Sequence, residues 1–134
     1  MKEKFGFSNF VSTDFEKHIR QSIPNYSGMR SLIPSIAENF VFKNTNIYDL
    51  GTSSGDLLCE LEDYLPSTLN LSYIGYDIAD NLLPSMPTKD INFYNRDITD
   101  ESLKLFNTSL IFSLFTLQFI DLDKRVKLIQ KVYD

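Results

Sequence analysis

Ile47-Tyr48-Asp49-Leu50-Gly51-Thr52-Ser53-Ser54-Gly55 is the stretch that decides the fold of this chain. An apolar strand runs into a turn of small residues, and the leucine-rich run from Asp56 to Leu65 continues from it as a helix. In α/β proteins this order of elements presents backbone N–H groups at a helix N-terminus, where a nucleotide-like ligand sits. Asp77 ends the next apolar stretch, 22 residues past Gly55. A carboxylate about 20 residues past the last glycine is placed to meet a ribose hydroxyl. The pattern points to an adenosine-type cofactor.

Working outward, strand one is Asn46 to Leu50. The helix after it spans Gly55 to Leu65, with Leu57, Leu58, Leu61 and Leu65 facing inward and Pro66 beyond its end. Strand two is Leu71 to Asp77. Two prolines between Ala79 and Pro87 leave room for a short helix only. Strand three is Ile91 to Tyr94, and residues 101–107 read as another short helix. Strand four is Leu110 to Phe119, nearly all apolar, as a strand buried on both faces should be. A last helix runs from Asp123 to Tyr133, with Val126, Ile129 and Tyr133 on one side. Upstream, residues 1–11 are aromatic-rich and aperiodic, and read as mobile. Thr13-Asp14-Phe15-Glu16 fits a capping box. It opens a helix whose apolar face, Phe15, Ile19 and Ile23, stops at Pro24. A second helix over Ser27 to Phe42 carries a stripe of Met29, Ile33, Ile36, Ala37 and Phe40. Pro34 kinks that helix or marks its true start. Strands alternating with helices imply parallel pairing. The expectation is one domain over 1–134: a helical cap over 11–42, then a Rossmann-like half sheet over 46–134.

Composition narrows the function classes. The 134 residues suffice for one core. The formal net charge is −5 with no cluster of lysine or arginine, which argues against direct contact with nucleic acid. The lone Cys59 cannot form an internal disulfide, so the chain reads as cytoplasmic and the thiol as a small buried apolar group. No apolar run reaches the roughly 18 residues needed to cross a bilayer. No metal-ligand set is read from the sequence.

The turn itself narrows the ligand. A dinucleotide fingerprint needs a glycine in its middle, so that a pyrophosphate can approach the backbone. Ser53 stands there, and a ligand without phosphates fits better, S-adenosylmethionine being the common one. Gly51-Thr52-Ser53-Ser54-Gly55 also matches a nucleophile elbow. That chemistry needs a histidine downstream, and the only one, His18, lies upstream on a helix face. Asp49 precedes the turn, where its carboxylate can take hydrogen bonds from the loop. Asp77 can take both ribose hydroxyls, because an ionised carboxylate has two acceptor oxygens. Asp97 can accept an adenine amino group while Ile98 packs on the ring. Three acidic residues at three successive strand ends line one crevice.

In these residues the chain resembles class I S-adenosylmethionine-dependent methyltransferases. More narrowly it resembles the carboxy-S-adenosylmethionine synthase family, which acts in wobble-uridine modification of tRNA. The match is carried by Phe15-Glu16-Lys17-His18-Ile19-Arg20-Gln21-Ser22-Ile23-Pro24-Asn25-Tyr26 and Tyr48-Asp49-Leu50-Gly51-Thr52-Ser53-Ser54-Gly55. It continues in Gly75-Tyr76-Asp77, Arg96-Asp97-Ile98 and Phe115-Thr116-Leu117-Gln118-Phe119-Ile120, with Asp123-Lys124-Arg125 after it. The resemblance implies that Tyr26, Gly51, Thr52, Ser53, Asp77, Ile78, Asp97 and Ile98 contact S-adenosyl-L-methionine. It implies prephenate as a small-molecule substrate and a carboxylated cofactor as product, and it names no catalytic base. The family usually has asparagine where this chain has Leu114, and asparagine after the ribose aspartate, where this chain has Ile78. The family's sheet has seven strands, so a methyltransferase fold truncated after strand four is expected here. The open edge of strand four is then expected to pair with a second copy or with a separate C-terminal partner chain. The chain as a fragment of a longer methyltransferase, or as a binding or regulatory module, is the alternative.

Overall fold

The computed structural model describes residues 12–84 and 90–134. Four helices and four strands follow one another: α1 (Ser12–Ser22), α2 (Tyr26–Ala37), β1 (Asn46–Leu50), α3 (Asp56–Tyr64), β2 (Ser72–Asp77), β3 (Ile91–Asn95), β4 (Thr108–Phe112) and α4 (Leu122–Tyr133). All strand pairs are parallel, in the order β3-β2-β1-β4. The chain builds outward from β1 through β2 to β3, then crosses back to lay β4 on the other side of β1. The crevice above the carboxyl ends of β1 and β4 is therefore the topological switch point, where open α/β sheets bind ligands.

The core lies on both faces of the sheet. On one, Leu57, Leu58 and Leu61 of α3 and Ile33 and Ala37 of α2 pack on Ile47, Tyr73 and Ile91. On the other, Leu128 of α4 joins Tyr48, Leu50, Ile98 and Leu103. The leucine spacing in α3 puts one face inward. The helix stops at Tyr64 because Pro66 drives Leu65 into extended backbone (φ −78°, ψ 141°).

The α/β class, parallel sheet and element order follow the expectation; several boundaries do not. Helix α2 starts at Tyr26 and ends at Ala37, and it runs through Pro34, which is buried inside it. The segment over 101–107 forms a turn followed by irregular backbone, with Leu103 buried, and no helix. Past Ala79 there is one turn of 3₁₀ helix, Asp80–Leu82, and the rest of that expectation reaches into 85–89, outside the described residues. The aperiodic stretch over 1–11 and the Thr13 capping side chain also lie outside them. The largest correction concerns β4. It spans only Thr108–Phe112 and is half-buried throughout. Phe115 adopts left-handed backbone (φ 54°) and the Thr116 hydroxyl donates to the Leu50 carbonyl at 3.1 Å. These turn the chain out of the sheet, and Leu117–Phe119 is a 3₁₀ turn. The long apolar run has the pattern of one strand but serves two surfaces: its first half pairs with β1 and its second half walls the crevice. In α4 the inward residue is Leu128, while Val126, Ile129 and Tyr133 are exposed. No helix among the described residues is long and apolar enough to cross a membrane.

Candidate functional site

A cavity of about 440 Å³ opens above the ends of β1 and β4. Tyr26, Asp49, Gly51, Thr52, Ser53, Asp77, Ile78, Asp97 and Ile98 all line it. The structure thus brings together every residue singled out from sequence, from four separate segments.

The glycine turn forms the floor. Gly51 (φ 88°), Ser53 (φ 52°) and Gly55 (φ 77°) all have left-handed backbone. At Gly51 a Cβ would also run into the Thr116 side chain, so glycine is required there for conformation and for space. The turn's amides were expected to be open to a ligand, and three of them are not. The Gly51 and Thr52 N–H groups donate to the Tyr76 carbonyl at 2.8 and 3.0 Å. The Ser53 N–H donates to Asp77 Oδ2 at 2.8 Å. The second Asp77 oxygen accepts from the Ala79 N–H at 2.8 Å. Asp77 therefore clamps the turn to the end of β2, with its remaining acceptor lone pairs available for ligand hydroxyls.

Three acidic groups differ in environment. Asp49 is buried in β1. Burial pushes its carboxyl up to about 7, and nearby Asp77 adds to this, while the Thr52 hydroxyl and the Arg30 guanidinium pull it back down. Burial also raises Asp77 above the usual carboxylate range, against the pull of its backbone hydrogen bonds. Asp97 is exposed, and its Oδ1 accepts from the Thr99 N–H at 2.8 Å and the Thr99 hydroxyl at 2.7 Å. That bond fixes the Asp97-Ile98 turn against the cavity. Ile98 is buried and Ile78 is 66% exposed at the cavity, so the site offers apolar contact beside its two outer carboxylates.

The other end of the cavity comes from the helical cap. Tyr26 is buried with its ring 5.9 Å from Phe115. The Arg20 and Arg30 guanidinium groups lie over the same ring at 5.6 and 5.8 Å, a cation–π arrangement. Arg30 Nη1 donates to the Tyr26 hydroxyl at 3.3 Å and Nη2 meets Glu60 of α3 at 2.9 Å. Arg30, Phe115 and Thr116 were not anticipated as site residues. Arg30 carried a signal: it shares an i, i+4, i+7, i+11 face with Tyr26, Ile33 and Ala37, and a buried charge on such a stripe needs partners. The left-handed Phe115 carried none, being neither glycine nor asparagine. Leu114, where the resembled family usually has asparagine, lines the cavity and packs on the core. His18 lines it from α1. Cys59 is half-buried in α3, and burial together with Asp56, Glu62, Asp63 and Glu60 pushes its thiol up, away from reactivity.

A parallel sheet with a glycine turn after β1, an acid ending β2 and a cavity at the β1/β4 switch define the class I methyltransferase fold. A solved structure agrees: a candidate S-adenosyl-L-methionine-dependent methyltransferase of Methanococcus maripaludis superposes with a TM-score of 0.63 at 18% identity, over 98% of this chain and 62% of that one. Over the span it shares with them, the chain is similar to proteins named carboxy-S-adenosyl-L-methionine synthase. It is 33% identical to that of Staphylococcus epidermidis over 130 residues, covering 94% of this chain and 55% of the relative. It is 32% identical to that of Nitratiruptor over 140 residues, covering all of this chain and 57% of the relative. The chain thus spans about half the length of the curated relatives it matches. No model of a known protein family matches it.

Proposed function

We propose that this chain holds S-adenosyl-L-methionine in the β1/β4 cavity and forms the cofactor-binding part of a transferase of the carboxy-S-adenosyl-L-methionine synthase kind. The observation that carries this reading is the convergence of Asp49, Asp77 and Asp97 on one cavity that also holds Ile78 and Ile98. Asp77 and Asp97 are placed to accept from ribose and adenine, and the isoleucines to cover the ring. Three carboxyl groups suit a ligand carrying a sulfonium and an ammonium group. Ser53 Oγ supports the fit. It is buried at the cavity and meets no hydrogen-bond partner among the described residues. Such a group is costly unless a ligand or water completes it. When bound, the cofactor supplies an activated sulfonium centre. The residues here bind, orient and exclude water, which is most of what such catalysis needs.

The full reaction, formation of a carboxylated cofactor from prephenate with a role in wobble-uridine modification of tRNA, belongs to the same proposal. Incubation with S-adenosyl-L-methionine and prephenate, followed by mass spectrometry, tests it. A cofactor product heavier by a carboxyl group in place of hydrogen is expected. Leu114 favours a second reading, a binding or regulatory module, since an apolar side chain stands where the family usually has a polar one. Cofactor binding without product would select that reading.

A further inference from the structure

Arg30 stands on the cavity wall with more donors than the protein uses. Its side chain is 8% exposed, and the residue lines the cavity beside Tyr26 and Asp49. A buried guanidinium is costly unless its N–H groups find acceptors. Nη1 donates to the Tyr26 hydroxyl at 3.3 Å. Nη2 lies 2.9 Å from Glu60 Oε1 as an ion pair. Neither Nη2 nor Nε has a partner in hydrogen-bond geometry among the described residues. Nε and Nη2 form the side edge of the guanidinium, whose parallel N–H groups match the two oxygens of a carboxylate.

We infer that Arg30 and the Tyr26 hydroxyl form a carboxylate subsite at the cap end of the cavity, and that with Asp49 they read the zwitterionic amino-acid head of the cofactor. This rests on the cofactor reading above and makes Arg30 the residue that selects among adenosyl compounds.

The neighbouring groups leave this role to Arg30. Arg20, the other cation over the Tyr26 ring, pairs with Glu16 at 3.1 Å and donates to Ser27 Oγ at 2.8 Å. Glu60 touches only Nη2, and its side chain is 43% exposed, so water solvates it when a ligand takes the guanidinium edge. The Tyr26 hydroxyl accepts from Nη1 and keeps its own proton to give. Burial, the largest influence on that phenol, holds it above its ordinary range, so it remains a donor.

Asp49 supplies the opposite charge. It is buried in β1, and the Arg30 guanidinium is near enough to pull its carboxyl down against the effect of burial. An α-amino acid head carries its ammonium and carboxylate on one carbon. The ammonium meets Asp49 and the carboxylate meets Arg30, so no ligand charge is buried without its opposite. A phosphate also suits a guanidinium, but the Asp49 and Asp77 carboxyl groups in the same cavity would repel its greater negative charge.

Isothermal titration with three ligands tests this. They are S-adenosyl-L-methionine, its decarboxylated form, which keeps the adenosine, sulfonium and ammonium groups, and 5′-methylthioadenosine, which lacks the amino-acid head. The purified chain should prefer S-adenosyl-L-methionine to the decarboxylated form by about 10- to 150-fold. Arg30→Met should bring the two affinities together by weakening the first, while 5′-methylthioadenosine still binds. Glu60→Gln breaks the ion pair between α2 and α3 but should keep the preference. If Arg30 only tied the helices together, the two variants would behave alike, and the inference would fall. Circular dichroism checks each fold. Should Arg30→Met not fold, Arg30→Lys carries the test, since a point charge in place of the planar edge should reduce the preference. Equal wild-type affinity for the first two ligands overturns the inference and leaves the cofactor reading standing, as does a preference that the Arg30 variants retain. A folded wild-type chain that binds neither S-adenosyl-L-methionine nor 5′-methylthioadenosine overturns both.

Discussion

The Asp77 carboxylate is engaged before any ligand arrives: one oxygen holds the Ser53 amide and the other the Ala79 amide. Its removal should loosen the glycine turn as well as delete a ligand contact. Asp49 makes a different prediction. Burial raises its folded-state pKa to about 7 from an ordinary 3.8. The folded chain then keeps a proton that the unfolded chain has released, so this group's contribution to stability falls as pH rises from about 4 to about 7, and is flat above. Asp77 and Glu16, also raised by burial, act in the same direction. Urea unfolding midpoints taken across that window should decline for wild type and decline less for Asp49→Asn; equal slopes would exclude the mechanism. At Gly51, alanine meets both a left-handed φ of 88° and the Thr116 side chain. Gly51→Ala should lose at least about 1–2 kcal/mol, read from urea unfolding.

Among the elements, α3 joins the turn to the core. Leu61 is fully buried between α3 and the sheet, and Leu61→Ala should cost about 2–5 kcal/mol, read as a lower urea midpoint at unchanged slope. Elements with one job were legible from sequence. The leucine periodicity of α3 has a single buried face, and β1 and β2 end where polarity changes. The acids at those strand ends were legible too, because a strand pattern fixes where its last side chain projects. Elements with two jobs were not. The run from Leu110 to Phe119 is apolar for pairing first and for walling the cavity afterwards, and only the left-handed Phe115 separates them. The 101–107 segment is held by the buried Leu103 rather than by helix periodicity. In α4 the apolar stripe signals a surface, and the sheet contact rests on Leu128. Arg30 shows the same limit: its partners Tyr26 and Glu60 lie on two helices, and only the packed structure brings Glu60 to it.

For the molecule as a whole, the switch between β1 and β4 explains why four distant segments meet in one cavity. A ligand that binds only the folded state raises stability by about 2.7 kcal/mol at one hundred times its Kd. For a chain of this size that moves the melting temperature by about 10 °C. S-adenosyl-L-methionine should give such a rise in a thermal scan, and NAD should not. Isothermal titration with S-adenosyl-L-methionine, using Asp77→Ala as the comparison, tests whether the cavity is a cofactor site organised by its strand-end acids. Hydrogen bonds to a charged group are worth about 1.5–3 kcal/mol. Saturable one-site binding that weakens by about 10- to 150-fold in the variant is expected. A folded wild-type chain that takes up no ligand, or a variant that binds as well as wild type, would contradict it.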